Sequence, residues 1–133
     1  MQDINDCWGK IHFTGRLEKN ILYKFYQIAE IGVMPSLHEQ CSYVAIEMMM
    51  FSIPLIATTT TGLNEMISNG VNGWKVSIIE KDKTVEIPVA TLKDIIIKVL
   101  SGNQKLYKDK IRKAYIENYT ITQMYEKYIK LYL

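Results

Sequence analysis

PSLHEQCSYVAIEMMMFSIPLIATTTTGLNEMI, residues 35 to 67, decides how this chain folds, because it lies between two apolar strand patterns and contains a helix start. The first strand is read in IGVMPS, residues 31 to 36, where Pro35 and Ser36 end it. The second runs from Ile53 to Thr58, short because Pro54 sits near its beginning. Between them Ser42 is placed to cap a helix over residues 42 to 51, its hydroxyl taking one of the orphan amides of the first turn. Glu39 then stays on the loop and Glu47 falls little more than one turn into the helix, so both carboxylates are expected to face one crevice. In an open α/β sheet the ligand binds at such strand-to-helix turns. The free amides and positive dipole end of a helix suit an anion, phosphate above all. Carboxylates repel phosphate but accept hydrogen bonds from sugar hydroxyls. A nucleotide sugar supplies both parts, a pyrophosphate and two sugar rings.

Outward from this stretch, strand and helix patterns alternate, which predicts a parallel sheet with helices on both faces. Upstream, Ile11 to Gly15 reads as a strand and residues 18 to 29 as a helix. Downstream, a brief helix is expected over Gly62 to Ser68, turns at the Asn-Gly pairs of 69 to 73, and a strand from Trp74 to Ile78. Residues 79 to 87 read as a charged loop. Leu92, Ile95, Ile96, Val99 and Leu100 repeat at helical spacing, Ser101-Gly102-Asn103 breaks that helix, and two further helices follow at 104 to 118 and 121 to 132. Tyr125, Tyr128 and Tyr132, with Ile121, Met124 and Ile129 near the same side, form a stripe that seeks burial.

The chain has 133 residues, 48% apolar and 23% charged, with net charge +2. That length predicts one domain, able to bury roughly two-thirds of its unfolded surface. The small basic excess gives no warrant for nucleic-acid binding. Cys7 and Cys41 have no metal-ligand spacing and read as free thiols of a reducing cytosol. Apolar runs fall far short of the ~20 residues of a spanning helix, so the expected location is cytoplasmic, soluble or peripheral at the inner membrane face. Met48 to Met50 read as core, His12 as structural, and the basic helix Lys105, Lys108, Lys110, Arg112, Lys113 as a solvated face ahead of a lipid-headgroup patch.

The central stretch resembles the E-x7-E region of retaining glycosyltransferases with two Rossmann-like domains, the GT-B fold, and particularly family 4, whose pattern is roughly PSxxEGFGLxxLEAMAxGxPVIAxxxGGxxE. The matches are Pro35, Ser36, Glu39, Ile46, Glu47, Met48, Pro54, Ile56, Ala57, Gly62 and Glu65, followed by the Asn69, Gly70, Asn72, Gly73 loop. The resemblance implies that Glu39 contacts the donor sugar and is the catalytic position, that Glu47 holds the nucleotide ribose, and that Gln40, Cys41, Ser42 and Tyr43 approach sugar and phosphate. It also aligns the Gly15 turn with one lying near the nucleotide base, which makes Arg16 and Lys19 solvated helix-start residues rather than phosphate ligands.

Departures from the pattern fall in the pocket. Gln40, Cys41 and Ser42 replace Gly-Phe-Gly, and Thr61-Gly62 replaces the paired glycines. Side chains there reshape the space a glycine leaves open. By this likeness the chain is the C-terminal nucleotide-sugar-binding half of a GT-B enzyme without the N-terminal acceptor domain, so the isolated chain is expected to be inactive and to self-associate through its exposed C-terminal stripe. The implied partners are a nucleotide-diphosphate sugar donor and a saccharide or lipid-linked acceptor; no metal and no cofactor are called for. Two other readings stay open: a binding module without chemistry, and a nucleotide-sugar epimerase of the same fold, whose families lack the Glu-x7-Glu spacing. A nicotinamide enzyme is disfavoured by the absence of G-x-G-x-x-G.

Overall fold

A computed structural model describes residues 8–82 and 84–133. Cys7 lies outside them; Cys41 is a free, exposed thiol. A 3-10 turn at Trp8–Lys10 leads into α1 (Lys19–Ile28), β1 (Gly32–Met34), α2 (Tyr43–Met50), β2 (Leu55–Thr58), α3 (Thr61–Met66) and β3 (Trp74–Val76). A hairpin of β4 (Ile79–Lys81) and β5 (Thr84–Glu86) follows, then α4 (Val89–Leu100), α5 (Gln104–Asn118) and α6 (Ile121–Tyr132).

The three-stranded sheet has the order β1-β2-β3 and is parallel throughout, with Val33 opposite Ile56 and Ala57 opposite Lys75. Every residue of β2 is buried, as a central parallel strand covered on both sides must be. Its side chains divide by alternation. Leu55 and Ala57 join Met34, Ala45, Met49, Leu63, Ile67 and Ile111, so α2, α3 and α5 cover one face. Ile56 joins Trp74, Val76 and Val99 under α4 on the other. Helices therefore lie on both faces, as the sequence predicts.

Local chemistry fixes the boundaries. Ser42 caps α2, its hydroxyl accepting from the Ala45 amide at 3.2 Å. Asn103 and Thr120 cap α5 and α6 in the same way. Asn72, 5% exposed, donates from its side-chain amide to the Met66 carbonyl at 2.9 Å and accepts from the Ser68 amide at 2.6 Å, which closes the turn before β3. After α2 the chain reverses through Ser52 at φ +60°, a left-handed position that usually takes glycine.

Two expectations are corrected. Residues 11–15 are not a strand: no described residue pairs with them, and Ile11 and Phe13 are exposed at 46% and 83%. Their alternation is real, but a strand with no partner and no face to bury is not stable. Residues 79–87 are not a loop but hold an antiparallel hairpin, Glu80 opposite Val85, with Asp82 at φ +47° in its turn. Nearly all its side chains are exposed, so the apolar signal that would announce a strand is missing. The α6 stripe is open to solvent, with Tyr125, Tyr128 and Tyr132 more than half exposed and no buried residue in the helix.

Ile111 is fully buried and carries α5 onto α2. Ile111→Ala should lower the unfolding free energy by about 2–5 kcal/mol, the usual range for deleting a buried aliphatic side chain; an unchanged urea midpoint would show that α5 is not docked. Ser52→Gly should act in the opposite direction, raising stability by roughly 0.5–1 kcal/mol as relief of the left-handed strain outweighs the added unfolded-state entropy, read in the same urea titration.

Candidate functional site

The carboxyl ends of all three parallel strands open onto one groove, with a volume near 580 Å³. Its walls come from three loops. After β1 come Leu37, His38, Glu39, Gln40 and Cys41; after β2, Thr59, Thr60 and Thr61; after β3, Ile78, with Glu80 and Val85 of the hairpin. This is where the topology of an α/β sheet places a ligand.

Hydrogen bonds between the strand ends hold the groove in shape. The Thr58 hydroxyl donates to the Ser36 carbonyl and lies 3.4 Å from that of Met34, joining the ends of β1 and β2. The Thr59 amide donates to the Val76 carbonyl at 3.0 Å, joining β2 to β3. The Gly62 amide donates to the Glu39 carbonyl at 2.9 Å. A Cβ on Gly62 would fall inside the Gln40 carbonyl, so the loop carrying Glu39 rests directly on the backbone of α3. Here a glycine is required by close approach, not by φ. Thr60 is 4% exposed, and its hydroxyl oxygen has no hydrogen-bond partner among the described residues.

Glu39 is half-buried in the groove wall, with Gln40 and Cys41 following it to the start of α2. Ser42 is buried as the cap and does not present its hydroxyl to the groove, whereas Tyr43 is 77% exposed. With Ala45 satisfied by the cap, the amides of Tyr43 and Val44 have no acceptor among the described residues, as expected of a first helical turn. His38 lines the groove beside Glu39. Gly15 adopts φ +63° ahead of α1, with nothing near the position of its missing Cβ.

Glu47 is the point of difference. It is not among the residues lining the groove with Glu39. It faces α1 instead, where its Oε1 meets the Lys19 ammonium at 3.0 Å. Lys19 is thus no free helix-start cation, and the bond to Glu47 is the first cause of a raised Lys19 pKa. Nearby, burial is the main cause that raises the Tyr26 hydroxyl above its ordinary pKa, with the Glu47 charge adding to it. Burial also raises Tyr119, assisted by Cys41.

Among the described residues no three His, Cys, Asp or Glu side chains gather as a metal site requires, and no described helix is long and apolar enough to cross a membrane. A family model described as glycosyl transferases group 1 matches residues 2–94. The chain belongs to this family. An uncharacterised glycosyltransferase of Methanocaldococcus jannaschii is 29% identical over 119 residues, which cover 90% of this chain and 27% of that protein. The chain thus spans about a quarter of the length of that relative. Among solved structures, the C-terminal domain of a glycosyl transferase group 1 family protein from Francisella tularensis aligns with a TM-score of 0.63 at 23% identity, covering 84% of this chain and 53% of that one. An Anabaena protein, HepE, solved in complex with UDP, aligns at 0.63 and 15% identity over 81% of this chain and 28% of that one. The fold is that of the C-terminal half of a GT-B glycosyltransferase.

The hairpin wall and the threonine loop were not anticipated as parts of the site. The hairpin gave no apolar signal, but the three threonines directly after a buried strand occupy a position where an α/β sheet presents ligand contacts. Gly62→Ala should push the Glu39 loop off α3 and cost about 1–3 kcal/mol, as overpacking generally does. The measurement is the denaturation midpoint; wild-type stability would show that the loop is not held there.

Proposed function

We propose that this chain is the donor-binding part of a retaining glycosyltransferase that moves a hexose from a nucleotide-diphosphate sugar to a saccharide or lipid-linked acceptor. The observation that carries the reading is the groove at the carboxyl ends of β1, β2 and β3, where Glu39 stands beside the capped start of α2. Glu39, with Gln40 and Cys41, orients the donor sugar through its hydroxyls. The Tyr43 and Val44 amides at the positive end of α2 face the diphosphate. As the sugar bond breaks, negative charge grows on the leaving group, and fixed dipoles aimed at it lower the barrier. Glu47 serves the ribose and the Gly15 turn the base. One solved neighbour holds UDP and another ADP, so uridine and adenosine diphosphate sugars are both candidate donors. No metal is invoked. The open α6 stripe serves contact with a neighbouring domain or with a second copy.

Titration of the chain with UDP-glucose, GDP-mannose and ADP-glucose, and with the corresponding diphosphates, tests this reading. Glu39→Ala should weaken the sugar nucleotide about tenfold, the size of one hydrogen bond to a charged group, and leave the diphosphate within about twofold. Equal weakening of both, or of neither, would remove Glu39 from the sugar site.

A further inference from the structure

Lys19 opens α1, and two separate contacts place it. Its ammonium lies 3.0 Å from Glu47 Oε1 and 5.6 Å from the centroid of the Tyr23 ring. Tyr23 is in turn fixed against Phe51 at 5.0 Å, and Tyr26 against Phe51 at 5.6 Å, so an aromatic cluster clamps α1 onto the end of α2. Glu47 is the more buried partner, with its side chain 19% exposed against 68% for Lys19. Oε1 is the oxygen that meets the Lys19 ammonium.

An exposed ion pair of this kind contributes little to stability. Its effect is elsewhere. Holding a carboxylate in one rotamer before the ligand arrives removes an ordering cost from binding. The adjacent ammonium also offsets the carboxylate charge that a diphosphate would otherwise meet. Gly15, four residues upstream with open space around it, starts the segment that Lys19 ties to α2.

We propose that Lys19 is a positioning residue, which fixes Glu47 by one oxygen so that Oε2 is left to accept the ribose hydroxyls of the donor nucleotide. This rests on the donor-binding reading above and adds to it a residue that does not itself touch the sugar. The pair is a built part of the ribose site rather than a competitor for it.

The test compares UDP, ADP and GDP with their 2′,3′-dideoxy counterparts by calorimetry on the wild-type chain and on Lys19→Met, Lys19→Arg, Glu47→Gln and the Met/Gln double variant. Lys19→Met should lose about five- to tenfold for the ribonucleotide and less than about twofold for the dideoxy compound, so that the preference for ribose disappears. Lys19→Arg should restore most of it. The double variant should be no weaker than Glu47→Gln alone, because both changes remove one device. If Glu47→Gln abolishes the ribose preference and Lys19→Met does not, or if Lys19→Met weakens both compounds alike, the positioning role is overturned while the ribose role of Glu47 stands. If Glu47→Gln also leaves the preference intact, the ribose assignment itself fails. Failure of the wild type to bind any of the three diphosphates at millimolar concentration would reject the donor-binding reading and this inference with it. Thermal melts of each variant distinguish a folding defect from a binding one.

Discussion

Four consecutive buried residues, Leu55 to Thr58, impose most of what this molecule does. A strand with neither face in water must be covered twice, and alternation sends Leu55 and Ala57 to α2, α3 and α5 while Ile56 goes to α4. Covering both faces requires parallel crossovers, which deliver the chain back to the same edge after every strand. The groove follows directly, since the loops after β1, β2 and β3 have nowhere else to meet.

Thr58 shows how packing turns into a site. It ends β2 as a buried residue, and its hydroxyl spans to the backbone where β1 ends. The loop carrying Glu39 thereby leaves from a fixed point, and Gly62 catches it at the other side through the Glu39 carbonyl. A flexible loop would offer a carboxylate at random; this one is tied at both ends. The start of α2 follows directly on this loop, and its cap satisfies the Ala45 amide while those of Tyr43 and Val44 have no acceptor among the described residues.

Much of this is legible in the residues, and the reasons are physical. Ser42 announces the start of α2 by its cap chemistry and is the cap in the structure. The helices at 104–118 and 121–132 are legible from the break at Ser101-Gly102-Asn103 and from their own spacing, and the structure adds Asn103 and Thr120 as their caps. The hairpin at 79–86 does not, because both its faces meet solvent and its charges hide the period of two. The alternation at Ile11 to Gly15 suggests a strand wrongly, since pairing is a property of the partner and not of the segment. Within the site, Glu39 is placed where a loop after an apolar strand must lie. The ion pair of Glu47 with Lys19 is invisible in one dimension, for it depends on how α1 settles on α2 through Tyr23, Tyr26 and Phe51.

The seat that Gly62 gives to Gln40 has a meaning for anyone redesigning this protein. Two short segments more than twenty residues apart in sequence share one volume, with carbonyl against Cα and no side chain to yield. A loop borrowed from a relative for residues 39–42 would arrive with its own curvature and collide or gape unless residues 60–62 came with it. The two segments therefore have to be exchanged as a pair, and swaps made one segment at a time should be expected to give poorly folded hybrids.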